Sequence, residues 1–139
     1  MLIRNVPTDI RGPAGTVEPA GNSIFVFEVA GLCIGHLGHL HHEPSPEQYA
    51  ALGRLDVVMA PVDGGMTLDL PTMIRVLKRL RASIVLPMHW FSSHGLGTFL
   101  AGMEDDFAID LHDESDIEVS LASLPARPTV IVLRPKPLD

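Results

Sequence analysis

The middle of the chain carries two continuous apolar runs separated by one amphipathic stretch. The first run is DVVMAPV, residues 56–62, and the second is an apolar run that ends at Pro87. Runs without polar alternation are typical of strands buried on both faces, as parallel strands are. Between them, apolar residues recur every three or four positions from Leu70 to Leu80, which predicts a helix with one apolar face. This alternation predicts an α/β fold, with helices packed on one face of a mixed sheet.

Capping signals indicate where two helices begin. Asp69 followed by Pro71 is typical of a helix start, since Asp accepts from free backbone N–H groups and proline suits the first turn. Ser45 followed by Pro46 predicts a second, shorter helix that ends before Gly53. Both helices would therefore lie directly beside the buried strands.

The flanking segments are less regular. Two apolar runs broken at Ala30-Gly31 predict a tight hairpin, and residues 1–22, rich in Pro and Gly, predict an irregular N-terminal arm. A short helix is expected within residues 93–103. Three late strand candidates are DDFAIDL, DIEVSL and PTVIVL, at residues 105–111, 116–121 and 128–133. No repeat or domain boundary interrupts the chain, so residues 1–139 are predicted to form a single domain.

Charge and cysteine content narrow the choice of partners and compartment. Lys plus Arg number 10 against 17 for Asp plus Glu, a net charge of −7, and no basic stripe is present. This argues against a nucleic-acid partner, because phosphate contacts need clustered cations. The single cysteine, Cys33, excludes an internal disulfide and, with no signal-like segment, predicts a cytoplasmic protein. No apolar run approaches the ~20 residues of a membrane helix, so no membrane partner is expected.

Four of the seven histidines fall within seven positions, directly after the hairpin. They are His36, His39, His41 and His42. Imidazole is the commonest neutral ligand for zinc and similar metals, so the cluster is a candidate metal site. Neighbours on an extended strand alternate faces, however, so His36 and His39 need not point the same way. Spacing alone leaves open a metal site or a polar loop with one hydrogen-bonded histidine.

Two further candidates follow the buried strands. Asp63 lies in the turn PVDGG after the first strand, and His89 lies in PMHW after the second. The carboxyl ends of parallel strands meet at one sheet edge, where α/β proteins place their sites. Asp63 is therefore the carboxylate that could reach a metal or a histidine. The simpler alternatives are a plain turn for Asp63 and a backbone-bonded histidine at the core edge for His89.

The order of these parts resembles the C-terminal half of metallo-β-lactamase-fold hydrolases: hairpin, HLG, short helix, DVVMAPVDGG, helix, PMHW. The resemblance covers about Asn22 to Trp90 and weakly continues to Leu133. It implies one half of a four-layer αββα sandwich. It also implies a divalent transition metal cofactor, most commonly zinc, that activates a water for attack on an ester, amide or phosphoester.

The resemblance also implies roles for individual residues. His39 stands where the family has its bridging Asp, and His89 matches the last histidine ligand. His36 and His42 would be auxiliary ligands, and Asp63 either a ligand or a carboxylate that supports one. The motif His-x-His-x-Asp-His is absent and no histidine precedes His36. The usual two-metal site therefore cannot be built from this chain alone.

Half a sandwich would leave one apolar sheet face in water, which is costly and promotes association. We therefore expect self-association into a homodimer. The alternatives are that the N-terminal half belongs to a longer protein of which this chain is a fragment, or that it is a separate chain. Two functions follow from the resemblance. One is a metal-dependent hydrolase that is incomplete or assembled by self-association. The alternative is a non-catalytic metal-binding or protein-interaction domain that retains the half-fold.

Overall fold

One mixed sheet and three α-helices account for the regular structure of residues 1–137, which the computed structural model describes. The strands are β1 (Leu2–Arg11), β2 (Val17–Val29), β3 (Leu32–His36), β4 (Val57–Pro61), β5 (Ile84–Met88), β6 (Ala108–Leu111) and β7 (Thr129–Val132). The helices are α1 (Pro46–Leu52), α2 (Leu70–Leu80) and α3 (Ser93–Met103). The sheet order is β1-β2-β3-β4-β5-β7-β6. The first three strands are antiparallel neighbours and the other pairs are parallel, which confirms the predicted mixed α/β class.

All three helices pack on one face of the sheet. Residues paired across neighbouring strands share a face, and the central row of this face runs through Val26, Gly35, Val58, Val85 and Val130. These valines are fully buried. The helix residues in the same core cluster are Leu52, Met73, Val76, Leu77, Phe99 and Met103. The predicted placement of helices on a single face is therefore confirmed.

The opposite face of the sheet is apolar, and none of the helices within residues 1–137 packs on it. We call it the open face, and it comprises Ile3, Phe25, Phe27, Ile34, Met59 and Leu86. Phe25 is 43% exposed and Ile3 is 51% exposed, although strand residues of this type are normally buried. His36 lies in one row with Phe25, Met59 and Leu86. The loop that follows β3, residues 37–45, therefore begins at the border of the open face.

Side-chain caps define the helix ends that the sequence predicts. The Ser45 hydroxyl accepts from the backbone N–H of Gln48, and the Gln48 side chain accepts from the backbone N–H of Ser45. Asp69 accepts from the backbone N–H of Thr72 at the start of α2. Each cap satisfies donors that helix starts leave free. The predicted starts of α1 and α2 are therefore confirmed.

The predicted irregular arm over residues 1–22 is wrong, because most of this segment belongs to a long hairpin. β1 pairs with β2 from Leu2 to Thr8, and the register shifts before Ile10. β1 is the edge strand, and an edge strand tolerates proline because one side of its backbone needs no partner. Pro7 is therefore compatible with pairing. Pro and Gly content alone gave a misleading signal.

Of the three late strand candidates, the first and third form β6 and β7, and the second is not a strand. Residues 116–120 have no regular secondary structure, and Leu121 begins a 3-10 turn. Their apolar residues Ile117 and Val119 line a cavity of about 900 Å³ together with Ile84 and Ile131. Within residues 1–137, no helix has the length and apolar character needed to cross a membrane.

Candidate metal centre

Three loops meet where β3, β4 and β5 end. The loop after β3 carries His39, the turn after β4 carries Asp63, and His89 follows β5 directly. The ring centroids of His39 and His89 lie 4.7 Å apart with the ring planes at 73°. His89 Nδ1 lies 3.0 Å from Asp63 Oδ1. Parallel strands bring these side chains together because their carboxyl ends share one sheet edge.

Asp63 is the most heavily hydrogen-bonded side chain of the site. Its Oδ2 accepts from the backbone N–H groups of Gly65, Met66 and Thr67 at 3.1, 2.6 and 3.1 Å. Its Oδ1 accepts from the Thr67 hydroxyl and from His89. Burial opposes ionisation of this carboxyl, but the hydrogen bonds from Thr67, Gly65 and His89 outweigh it and hold its pKa well below the ordinary value. Asp63 is therefore a fixed anion, and its accepting positions are already filled.

The contact with Asp63 determines which nitrogen of His89 is available. A carboxylate only accepts, so Nδ1 of His89 must carry a proton, and in the neutral ring Nε2 then keeps its lone pair. A carboxylate that orients a histidine in this way is a common support for a metal ligand. His89 also has a left-handed backbone with φ of 57°, and the ring of Phe91 packs on it at 4.7 Å. The His89 ring is thus held by Asp63, His39 and Phe91.

His39 is exposed, and its backbone is hydrogen-bonded to β2. Its N–H donates to Oδ1 of Asn22 at 2.9 Å. The preceding residue, Gly38, has φ of 62°, a conformation that favours glycine. A Cβ on Gly38 would lie 2.5 Å from Asn22 Oδ1 and 3.1 Å from the Ser23 carbonyl oxygen. The turn that presents His39 therefore depends on glycine at position 38.

The remaining histidines of the cluster serve as hydrogen-bond acceptors. His36 Nδ1 accepts from the Gly38 N–H at 3.1 Å. His41 Nδ1 accepts from the Arg11 N–H at 2.9 Å, and burial, the Arg11 cation and His39 lower the pKa of His41. His42 Nε2 accepts from the Asp9 N–H at 3.0 Å, so its Nδ1 carries the proton and donates to the Glu43 carbonyl. Both nitrogens of His42 are occupied in this arrangement.

The structure thus brings three of the five predicted site residues together and holds the other two elsewhere. His39, Asp63 and His89 come together, whereas His36 bonds to its own loop and His42 is held by β1. No three His, Cys, Asp or Glu side chains among residues 1–137 are placed to hold one metal ion. Zinc sites ordinarily have three or four protein ligands. The donor set of these residues, two imidazoles with one ring oriented by a carboxylate, fits part of a metal site.

Three residues that shape the site escaped the sequence analysis: Asn22, Thr67 and Phe91. Asn22 lies in the segment predicted to be irregular, and no sequence signal marks it. Thr67 follows Asp63 by four residues across a Gly-Gly turn, and an Asp that bonds the backbone after it is a recognised turn pattern. That pattern could have identified Thr67 and the role of Asp63 as an anchor.

Comparison with known proteins places the chain in a family. The family model for the beta-lactamase superfamily domain matches residues 1–89. The chain therefore belongs to the metallo-β-lactamase superfamily, and the resemblance seen in its sequence is confirmed. A search of curated proteins gave no significant match.

Solved structures share the fold of this chain. A proposed Zn-dependent hydrolase of the metallo-β-lactamase superfamily from Thermotoga maritima is similar, with a TM-score of 0.73, 27% identity, 94% of this chain covered and 63% of that chain. A metallo hydrolase from Ignicoccus hospitalis has a TM-score of 0.55 at 20% identity, covering 74% of this chain and 45% of its own. A proposed metal-dependent hydrolase from Parabacteroides distasonis has a TM-score of 0.56 at 18% identity, covering 74% and 46%. The chain thus spans less than two thirds of these structures.

Proposed function

We propose that this chain supplies part of the metal centre of a metal-dependent hydrolase, with His39 and His89 as ligands. The arrangement that carries the proposal is His89, oriented by Asp63 and packed 4.7 Å from His39. Two imidazoles at this separation are close enough to contact one small ion. A divalent transition metal is proposed, with zinc as the first candidate, because neutral imidazole is a preferred zinc ligand.

Each residue has a separate role in this proposal. Asp63 keeps the proton on Nδ1 of His89 and so leaves Nε2 as the coordinating atom. The backbone N–H groups of Gly65, Met66 and Thr67 keep Asp63 charged and immobile. A bound metal of this class lowers the pKa of its water and supplies hydroxide at neutral pH. His36 is a further ligand candidate that would have to leave Gly38, and His42 would have to break a contact with Asp9 or Glu43.

The remaining metal ligands must come from outside this group of residues. A protein that binds to the open face is the source that we propose. His36, which directly precedes the loop of residues 37–45, lies in one row with Phe25, Met59 and Leu86 of the open face. Any protein that covers the open face therefore also approaches the loop of His39. We propose that a second copy occupies this face when the chain is alone in solution. A separate N-terminal half of the fold would use the same surface.

A non-catalytic role is the second candidate, and one observation favours it for the isolated chain. No three-ligand group exists among residues 1–137. A metal held by two imidazoles alone would be weakly bound. The half-fold would then act as a metal-binding or protein-interaction domain.

Zinc titration of the purified chain tests the proposed ligands. We expect His39→Ala and His89→Ala each to weaken binding of Zn²⁺ by more than ~10-fold, since each removes a ligand. His94→Ala is the matched control, because His94 is an exposed histidine on α3. Zinc binding that is absent, or unchanged in both ligand variants, would contradict the metal-site proposal.

The mass of the chain in solution tests the proposed partner. We expect a dimer by light scattering, and Phe25→Glu should convert it to monomer because a charge then lies on the open face. Leu111→Glu is the control, since Leu111 is 68% exposed on β6, outside the open face. A stable monomer that binds no hydrophobic dye would contradict the proposal that a second copy covers the open face.

A further inference from the structure

We infer that Asn22 is the positioning residue for His39. The inference rests on the proposed function, in which His39 is a metal ligand. Asn22 lies on β2, seventeen positions before His39, and its side chain is half-buried. It bonds to Thr8 on β1 and to two backbone groups of the loop after β3, and so it joins β1 and β2 to the loop that carries His39.

The three contacts of the Asn22 amide use both of its ends. Its Nδ2 donates to the Thr8 hydroxyl at 2.9 Å and to the Leu37 carbonyl at 3.1 Å. Its Oδ1 accepts from the His39 N–H at 2.9 Å. Thr8 is 1% exposed, so the anchoring end lies in the core. Because one planar amide holds the backbone at both 37 and 39, the loop has little freedom to rotate His39 away.

Gly38 leaves room for the Asn22 amide because it has no side chain. A side chain at position 38 would collide with Asn22 Oδ1 at 2.5 Å. The left-handed conformation of Gly38 in turn makes the two backbone groups at 37 and 39 accessible to one side chain. Asn22 and Gly38 therefore act as a pair, and among the described residues no other side-chain amide hydrogen-bonds to the backbone of positions 37–39.

Hydrogen exchange in the metal-free chain tests this role without reference to zinc. We expect Asn22→Ala to make the His39 amide exchange at least ~10-fold faster, because its acceptor is lost and the loop opens locally. Thr8→Val removes only the buried anchor of Asn22 and should give a smaller change in the same direction. It also provides the test if Asn22→Ala does not fold. Asn5→Ala is the matched control, since Asn5 is an exposed amide on β1 that contacts Ser23.

Zinc affinity supplies the second readout. Asn22→Ala should weaken Zn²⁺ binding by ~10-fold, as losing a support of a ligand does, whereas Asn5→Ala should have no effect. Unchanged exchange at His39 in Asn22→Ala and Thr8→Val would overturn the inference, and so would an equal loss of zinc in Asn5→Ala. If the unmodified chain takes up no zinc, the proposed function fails, while the exchange data still decide whether Asn22 positions His39.

Discussion

Replacing Asp63 with Asn separates the charge of this side chain from its shape. The substitution keeps one acceptor oxygen but removes the negative charge that faces the backbone N–H groups of Gly65, Met66 and Thr67. The N–H groups of Gly65 and Met66 are exposed and can bond to water. Thr67 is fully buried and His89 is half-buried, so their contacts dominate the loss. Each of these two contacts changes from a charge-assisted to a neutral hydrogen bond, which costs about 1 kcal/mol. The total destabilisation is therefore about 2 kcal/mol.

The loss of stability in Asp63→Asn should depend on pH in a characteristic way. The pKa of Asp63 is lowered in the folded protein, whereas in the unfolded chain it lies near the ordinary ~3.9. The charged carboxylate therefore stabilises the fold fully above about pH 5, and this contribution is lost as the pH falls through ~3.9 toward the folded pKa. The stability gap between the unmodified protein and Asp63→Asn should be constant near neutral pH and should narrow in acid.

Urea unfolding followed by circular dichroism measures this gap at each pH. Asp69→Asn is the matched control, because Asp69 is an exposed helix cap and Asn caps a helix equally well. It should change the free energy of unfolding much less than Asp63→Asn does. Equal losses in the two variants, or a gap that does not narrow in acid, would refute the assignment of Asp63 as a fixed anion.

Two further predictions concern the fold. Arg4→Ala should destabilise the protein by about 1–2 kcal/mol in urea unfolding, because the Arg4 guanidinium donates to the last carbonyls of α1; no change would show that water replaces the contact without loss. Leu77→Ala should cost about 3 kcal/mol, since Leu77 is fully buried between α2 and the sheet. Leu111→Ala is its control, and similar costs for the two would contradict the placement of the core.

The tautomer of His89 yields one more prediction. In Asp63→Asn the amide NH₂ can face His89 Nδ1, which must then accept, so the proton moves to Nε2. Zinc affinity should fall by ~10-fold or more although both imidazoles remain. Nitrogen-15 shifts of the His89 ring report the tautomer directly, and an unchanged Nδ1–H form would contradict the mechanism.

Local patterns were enough to predict the middle of the fold. Apolar runs and caps gave α1 at its observed bounds of Pro46 and Leu52, and strand order brought Asp63 and His89 to one edge. The pairing of β1 with β2 could not be predicted, because it joins residues that are far apart in sequence and because prolines in residues 1–22 are typical of loops. Asn22 was missed for the same reason: its partners Thr8 and His39 are neighbours only after β1 and β2 have paired.

Anomalous diffraction at the zinc edge can show whether His39 and His89 hold one metal ion. Crystals of the chain grown with Zn²⁺ should show a peak ~2.0–2.1 Å from a nitrogen of each ring, with Nε2 as the coordinating atom of His89. Asp63 should remain bonded to Nδ1 on the other side of that ring. A peak at His94 or His112 alone, or His89 coordinating through Nδ1, would contradict the account.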